Sequence, residues 1–600
     1  TSLTATGGAI GETGVLDVGT LSGSSTGATS LTGTNTIAAL GNFSAAGFTM
    51  ADGAPLTVIG SVTGGSLAML DDTAGLTVGA TGQVNGTAVS LAGSSLTLVG
   101  VISAGGGTGT TSLTATNGAI GETGTLLSGT LSGSSTGATS LTGTNTITDL
   151  VGFSASGFAL DDRAPLAVSG SVAGGSLTAL NDAAALTIET TASVTANSVS
   201  LTGTSLTLAG FVSDGGAGTT ALTATGGAIG GTGVLISGAL SGSSTGATNL
   251  TATDAIATLT GFTATGGLTL DESGNLTVAG PVFAGPSAQI TVPGALTFTG
   301  PLTAASVTLN AGSLVLDGAL TGTTQVVLNI AGSVSETGSL DTPLLTGRSG
   351  GATNLTSGGN LIGGIATYTA GSTLDVTDGE ALTLSGIISA PTMVFSATPN
   401  QITIANGTTL VTGGYARPTG PVGSFTFPTG PASPGAYFSD FQQLGSVTVT
   451  SPSGGPTIMR IDAYDGGSIS LAATGGLFGT STWLILDLHA SGALGLASGN
   501  VFVRWLDVII PPGTTGGGAD LGGTVNGIGG QAAAGAADIS PQSDPRYRFN
   551  SCAIASVNCV VLPIEVLPLA NPLEEFSIGS MLDSDEDDDL FLPLVSRRDY

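Results

Sequence analysis

Residues 56–98 read LTVIGSVTGGSLAMLDDTAGLTVGATGQVNGTAVSLAGSSLTL. Within this stretch the triplets Leu56-Thr57-Val58, Leu76-Thr77-Val78 and Leu96-Thr97-Leu98 return at a step of 20 residues. Each triplet is apolar-polar-apolar, the period of a half-buried strand. A Gly and a further apolar residue often follow, as in Gly60-Ser61-Val62, and another alternating stretch precedes, as in Ser66-Leu67-Ala68-Met69-Leu70. Asp71-Asp72, Asp161-Asp162, Asn181-Asp182 and Asp271-Glu272 stand between these stretches and read as turn residues. The same step recurs at Leu166, Leu186 and Leu206, at Leu276 and Leu296, and at Leu382 and Ile402. Short strands at so short and regular a step predict an all-β fold, a right-handed parallel β-helix of about 20–22 residues per coil with roughly three strands in each. Strands then pair with their equivalents about 4.8 Å away, Leu, Val and Ile fill inward columns, and Thr and Ser face out. Some 500 residues at this step predict about 23–25 coils.

A longer period contains the short one. GAIGETG spans Gly8–Gly14 and again Gly118–Gly124; GAIGGTG follows at Gly227–Gly233 and GSVSETG at Gly332–Gly338. A second marker, GAT-S/N-L, begins at Gly27, Gly137, Gly246 and Gly351, so both markers step by 110, 109 and 105 residues. The organisation expected is a β-helix of four such super-repeats over 1–415, degenerate coils or a cap over 416–510, a Gly/Ala/Pro-rich linker over 511–548 and an irregular tail over 549–600. Strands are expected to resume at Val447-Thr448-Val449, Ile469-Ser470-Leu471 and Leu484-Ile485-Leu486.

Composition fits a thin solenoid. Of 600 residues 101 are Gly, aromatics make up 4%, and only 8% are charged, against about 25% in an ordinary domain. The hydrophobic share of 40% and the mean hydropathy of +0.45 argue against disorder. Apolar runs are too short for a transmembrane helix. Like charges stacked on successive coils would repel, which predicts neutral outward faces. All nine basic residues are Arg and the net charge is -30, so a phosphate-neutralising face is excluded and no nucleic-acid partner is expected. One His (His489) and two Cys (Cys552, Cys559) do not make a zinc cluster. The chain begins at Thr1 without a visible signal peptide and reads as a piece of a mature or longer product with a natural C-terminus.

The chemistry-bearing candidates point to structure. The acidic corners Asp71, Asp72, Asp161, Asp162, Asp271 and Glu272 lack the calcium-binding nonapeptide and EF-hand spacing, leaving turn chemistry. Polysaccharide cleavage by paired carboxylates would call for Lys, Arg, His or aromatic platforms, of which the chain is nearly bare. Glu12, Glu122 and Glu336 recur at equivalent places, but Gly231 fills the third, so register or surface polarity accounts for them better than catalysis. His489 beside Asp487 has no nucleophile elbow, and outward Thr is too interrupted for ice binding. No catalytic, cofactor-binding or metal-binding residue is expected, and the chain reads as no enzyme. Cys552 and Cys559, in a C-x6-C arrangement, read as a local disulfide worth roughly 2.5 kcal/mol on chain-entropy grounds. The run Asp583–Asp589 reads as a solvated tail.

SLTATGGAIG at Ser2, SLTATNGAIG at Ser112, and the L-T-V-x-G-x-V pattern at Leu56–Val62 resemble the repeats of the filamentous haemagglutinin family, the exoproteins of two-partner secretion in Gram-negative bacteria. The resemblance spans most of 1–415. It implies a secreted β-helical rod at the bacterial surface, associated with the outer membrane. It also implies an outer-membrane transporter as partner and a role in adhesion, aggregation or biofilm formation through an unidentified host, cell-surface or matrix ligand. The family's N-terminal secretion domain is not visible, which implies a distal or C-terminal part. Some such exoproteins carry a paired-cysteine loop that tethers them to the transporter, and the resemblance extends that role to Cys552 and Cys559, beside simple stapling. A single-chain autotransporter is disfavoured, because 500–600 lack the pattern of a C-terminal barrel. Two other readings are a self-assembling extracellular filament and, less favoured, a polysaccharide-acting β-helix.

Overall fold

The computed structural model describes residues 1–397, 402–405 and 408–411 with their side chains, and beyond them the backbone of short strands only. Among the described residues there is no helix, and the chain is a parallel β-solenoid of about 20 turns. It divides into two units, Thr1–Gly294 with Gly300–Ala304, and Ala295–Thr299 with Ala305–Tyr600.

In the first unit a turn consists of three short strands, for example Gly47–Asp52, Leu56–Val58 and Ser61–Thr63. The next turn repeats them as Leu67–Asp72, Gly75–Val78 and Gln83–Gly86. Every strand pairs in parallel with its equivalent a turn away. Leu56, Leu76, Leu96 and Ile120 align in one ladder, and each is 1% exposed. Met50, Leu70, Leu91 and Leu113 form a second inward column, and Val62, Val84, Ile102 and Leu126 a third. Each such side chain contributes about 1.5–3 kcal/mol by leaving water, and stacking makes every residue's burial depend on its neighbours a turn away.

Corners are set by local chemistry. Leu67 N–H donates to Gly64 O at 2.8 Å, closing a tight turn whose second residue, Gly65, has φ +49°. Gly175 (φ +53°) and Gly285 (φ +32°) repeat the corner 110 and 220 residues on. Another glycine makes room for a ring: Gly133 pairs with Phe153, and a Cβ there would meet the Phe153 ring and Leu113 O. Phe153 then packs on Phe158 with centroids 4.7 Å apart.

The super-repeat does not fit a whole number of turns. Ile10 lies in the ladder Ile10–Thr29–Phe48–Ala68–Val89–Thr111, five turns long, and its sequence copy Ile120 comes nine residues later. Ile120 therefore joins the neighbouring ladder, on Leu96. The second repeat does the same: Ile120–Thr139–Phe158–Thr178–Val199–Thr220 takes five turns, and Ile229 follows nine residues on, paired with Leu206. Equivalent residues thus move one face round the solenoid with each repeat.

The second unit is built alike, with Leu374 and Val376 paired to Met393 and Phe395. Strand Thr392–Ala397 pairs in turn with Gly435–Phe438, and Pro456–Ala463 with Trp483–Ala490. The expected 23–25 coils exceed the turns found because the extrapolation ran past the described residues. Cys552, Cys559 and the run Asp583–Asp589 lie outside those residues, as do the side chains of His489 and Asp487.

Candidate functional site: a buried acid–amide ladder

Inside one corner of the first, second and fourth super-repeats, carboxylates and an amide replace the aliphatic filling. In the second repeat Glu122 is 1% exposed and Asn145 is fully buried. Glu122 occupies the inward slot that Leu98 fills one turn earlier. Its Oε2 accepts from Gly143 N–H at 3.1 Å and from Asn145 Nδ2 at 3.0 Å. Asn145 Nδ2 also donates to the carbonyls of Leu141 and Asp161, both at 3.1 Å, and its Oδ1 accepts from Leu126 N–H at 3.1 Å. One side chain thereby serves backbone groups of three turns.

The ladder continues with Asp162 and Asp182, which stack in register. Asp162 accepts from Ile147 N–H at 2.8 Å and from Ala164 N–H at 3.0 Å; Asp182 accepts from Leu166 N–H at 3.1 Å and from Ala184 N–H at 2.8 Å. The bond two residues on is an Asx turn, and the other ties the corner to the preceding turn. The first repeat has the same set in Glu12, Asn35, Asp52 and Asp72, and the fourth has Glu336, Asn360 and Asp378.

These acids sit where ionisation is costly. Burial raises the pKa of Asp52, Asp72, Glu122, Asp182 and Glu336, against opposing backbone or amide hydrogen bonds. It pushes Asp162 up to about 7, with Asp182 adding repulsion, and Asp378 to about 6, with Glu380 adding to it. The second carboxylate oxygen of Glu12, Glu122 and Glu336 is buried without a partner.

The acidic corners of the sequence therefore divide. Asp71 is exposed and Asp161 and Asp271 are half-buried, whereas Asp72, Asp162 and Glu272 point inward, 1%, 3% and 6% exposed. The turn chemistry holds, but the pairs lie at strand ends rather than between strands. Glu122 and Glu336 set register through Asn145 and Asn360, and surface polarity does not describe them. The expectation of neutral stacking concerned the outward faces; inside, acids do stack, Asp52 on Asp72 and Asp162 on Asp182. Burial raises the pKa of all four, which favours protonation, and a proton on either acid of a pair would relieve the repulsion within it. Sequence reasoning passed over Asn35, Asn145, Asp52 and Asp254, although Asn35–Asn145 and Asp52–Asp162 keep the 110-residue step.

A separate knot surrounds Asp214, 2% exposed. It accepts from Gly216, Gly218 and Gly238 N–H at 2.9, 3.3 and 3.0 Å, and from the Thr220 and Ser237 hydroxyls at 2.9 and 2.6 Å. Outside, the faces carry neutral ladders such as Thr57–Thr77–Thr97, ended by Gly121. Among the described residues no group of three His, Cys, Asp or Glu side chains is placed to hold a metal ion, and no helix is long and apolar enough to cross a membrane.

The architecture defines a class, the parallel β-solenoids. No protein-family model matches the chain, and no curated protein or solved structure matches it either.

Proposed function

We propose that this chain is the stalk of a secreted, surface-exposed exoprotein of the two-partner type, acting in adhesion, aggregation or biofilm formation without catalysis. The observation that carries this reading is the pairing of hydroxyl-bearing outward ladders, Thr57–Thr77–Thr97 among them, with inward acids already committed to backbone N–H groups. Such faces offer many shallow, equivalent contacts, and repetition turns weak contacts into avidity. The resemblance of Ser2–Ile10 and Ser112–Ile120 to filamentous haemagglutinin repeats supports the secretion route and the outer-membrane transporter as partner. Tethering through Cys552 and Cys559 belongs to the same reading.

The test is attachment. Purified protein coated on beads should adhere to bacterial or host-cell layers, and heat-unfolded protein should not. Equal attachment by both forms refutes the adhesin reading. Ordered fibres of the free protein in negative stain, without attachment, would instead assign it to self-assembling matrix components.

A further inference from the structure

The third super-repeat rewrites the ladder. Gly231 stands where the second repeat has Glu122, Asp254 where it has Asn145, and Glu272 where it has Asp162. The framework is retained. Leu235 N–H donates to Asp254 Oδ1 at 2.8 Å, as Leu126 does to Asn145, and Ile256 N–H donates to Glu272 Oε2 at 2.8 Å, as Ile147 does to Asp162. The difference lies in the second oxygen of Asp254. Its counterpart, Asn145 Nδ2, is a donor to Glu122 and to the carbonyls of Leu141 and Asp161. Leu250 and Asp271 hold the corresponding positions, and their carbonyls only accept. Asp254 is 1% exposed and Glu272 6%, they face each other in register, and Asp254 Oδ2 and Glu272 Oε1 are both buried without partners.

We infer that the Asp254–Glu272 pair retains a proton at neutral pH, so that a neutral acid replaces the amide of the other repeats and the third repeat loosens when the proton leaves. An acid O–H restores the donor that Asp254, standing in place of Asn145, removed, and it removes one of two facing charges. Few charged groups oppose the change. Asp271, on the strand of Glu272, adds repulsion to Asp254. Ile229–Gly231, Leu235–Ser244 and Leu276–Val278 carry no ionisable side chain, and the next turn brings Val292 to the Glu272 position. Asp214 lies beyond, bonded to Ser237 and Thr220. Burial pushes Asp254 up to about 6 and Glu272 to about 8. Both pKa values are raised over ordinary values of 3.8 and 4.5, so the stability these groups lend is complete below that range and is lost as pH climbs through about 6 to 8.

Hydrogen exchange read by mass spectrometry on peptides covering 235–244 and 248–264 tests this in the full chain. After correction for intrinsic base catalysis, protection should fall as pH rises from about 5 to about 8, by up to about tenfold per unit for one linked proton, and level off above that. Asp254→Asn, which restores the residue of the other repeats, should lessen that slope and raise protection at pH 9, leaving the part that burial of Glu272 contributes. Glu272→Gln, whose amide can donate toward Asp254, should also flatten it. Infrared spectra of protein with labelled Asp and Glu carboxyls should show a protonated-carboxyl band at pH 7 that diminishes in Asp254→Asn. An unchanged pH slope in both variants, or identical band intensity in parent and Asp254→Asn, overturns the inference.

Discussion

Asn145 is the residue on which the second repeat's ladder converges, and Asn145→Asp changes one nitrogen to oxygen. The variant keeps the acceptor for Leu126 N–H and loses three donated bonds, to Glu122 Oε2 and to the Leu141 and Asp161 carbonyls. A net hydrogen bond is worth about 0.5–1.5 kcal/mol, and a buried group left unsatisfied costs about 1–3 kcal/mol. The three losses share one site and do not add, so the substitution should cost about 3–5 kcal/mol while the introduced carboxyl is ionised. Once protonated, that carboxyl recovers one donor, and the cost should fall to about 1–3 kcal/mol. The new acid would stand between Glu122 and Asp162, both already raised by burial. Its own pKa rises for the same reason, so the variant is least impaired in acid and loses ground as pH climbs. A solenoid does not unfold in one step, so a global midpoint is a poor measure. Exchange at the Leu126 and Ile147 amides is local. It should accelerate by roughly 10²–10⁴ at pH 8, from about 1.4 kcal/mol per tenfold, and by much less at pH 5. Asn35→Asp provides the internal control, because its bonds to Glu12 and Leu31 are longer, 3.2 and 3.3 Å, and Glu12 is only half-buried. Exchange at Leu126 within threefold of the parent at pH 8 would refute the ladder as a source of local stability.

Gly133→Ala puts a methyl group against the Phe153 ring and Leu113 O and should cost about 1–3 kcal/mol by overpacking; Gly121→Ala, with nothing within 4 Å, should stay within about 0.5 kcal/mol. Limited proteolysis of the two variants separates these outcomes. Leu76→Ala opens a cavity between Leu56 and Leu96 and should cost about 2–5 kcal/mol, seen as early loss of the strand signal on heating in circular dichroism. Asp214→Ala strands five donors and should cost about 3–5 kcal/mol, with exchange accelerated at Gly216, Gly218 and Gly238.

The solenoid was legible because its signal is redundant. Leu56, Leu76 and Leu96 announce a 20-residue step, and the structure stacks them in that order with the Thr between them facing out. The ladder was not legible for the opposite reason. A lone Asp at a strand end looks the same whether it caps a corner from outside or from inside, and Asp71 and Asp72 differ only by the alternation of the strand. Asn145 was harder still, since it lies four residues past Leu141 in a stretch with no apolar alternation of its own. Its signature was the repeat distance to Asn35, which argues for a fixed role without naming it. Nothing in composition foretold that acids would stack, because they do so in a buried site supplied with backbone N–H donors, which the sequence does not reveal.

The nine residues left over in each of the first two repeats bear on both the interior and the outside of the first unit. Had the super-repeat closed on five whole turns, Glu12 and Glu122 would share a ladder, and the acids of successive repeats would lie in one line. Instead Ile10–Glu12 belongs to the ladder of Leu91 and Leu113, and Ile120–Glu122 to that of Leu96 and Leu98. Each acid run is therefore short. Asp72 is followed at its position by Gly93, and Asp182 by Gly203, before the next run opens on another face. That spacing limits how many buried charges repel one another as pH rises. It also distributes outward residues: copies of one sequence appear on different faces, so a ligand that recognises the repeat meets it all round the solenoid. Under the adhesin proposal, contact from any side would engage equivalent chemistry, and attachment through many weak bonds would draw on it.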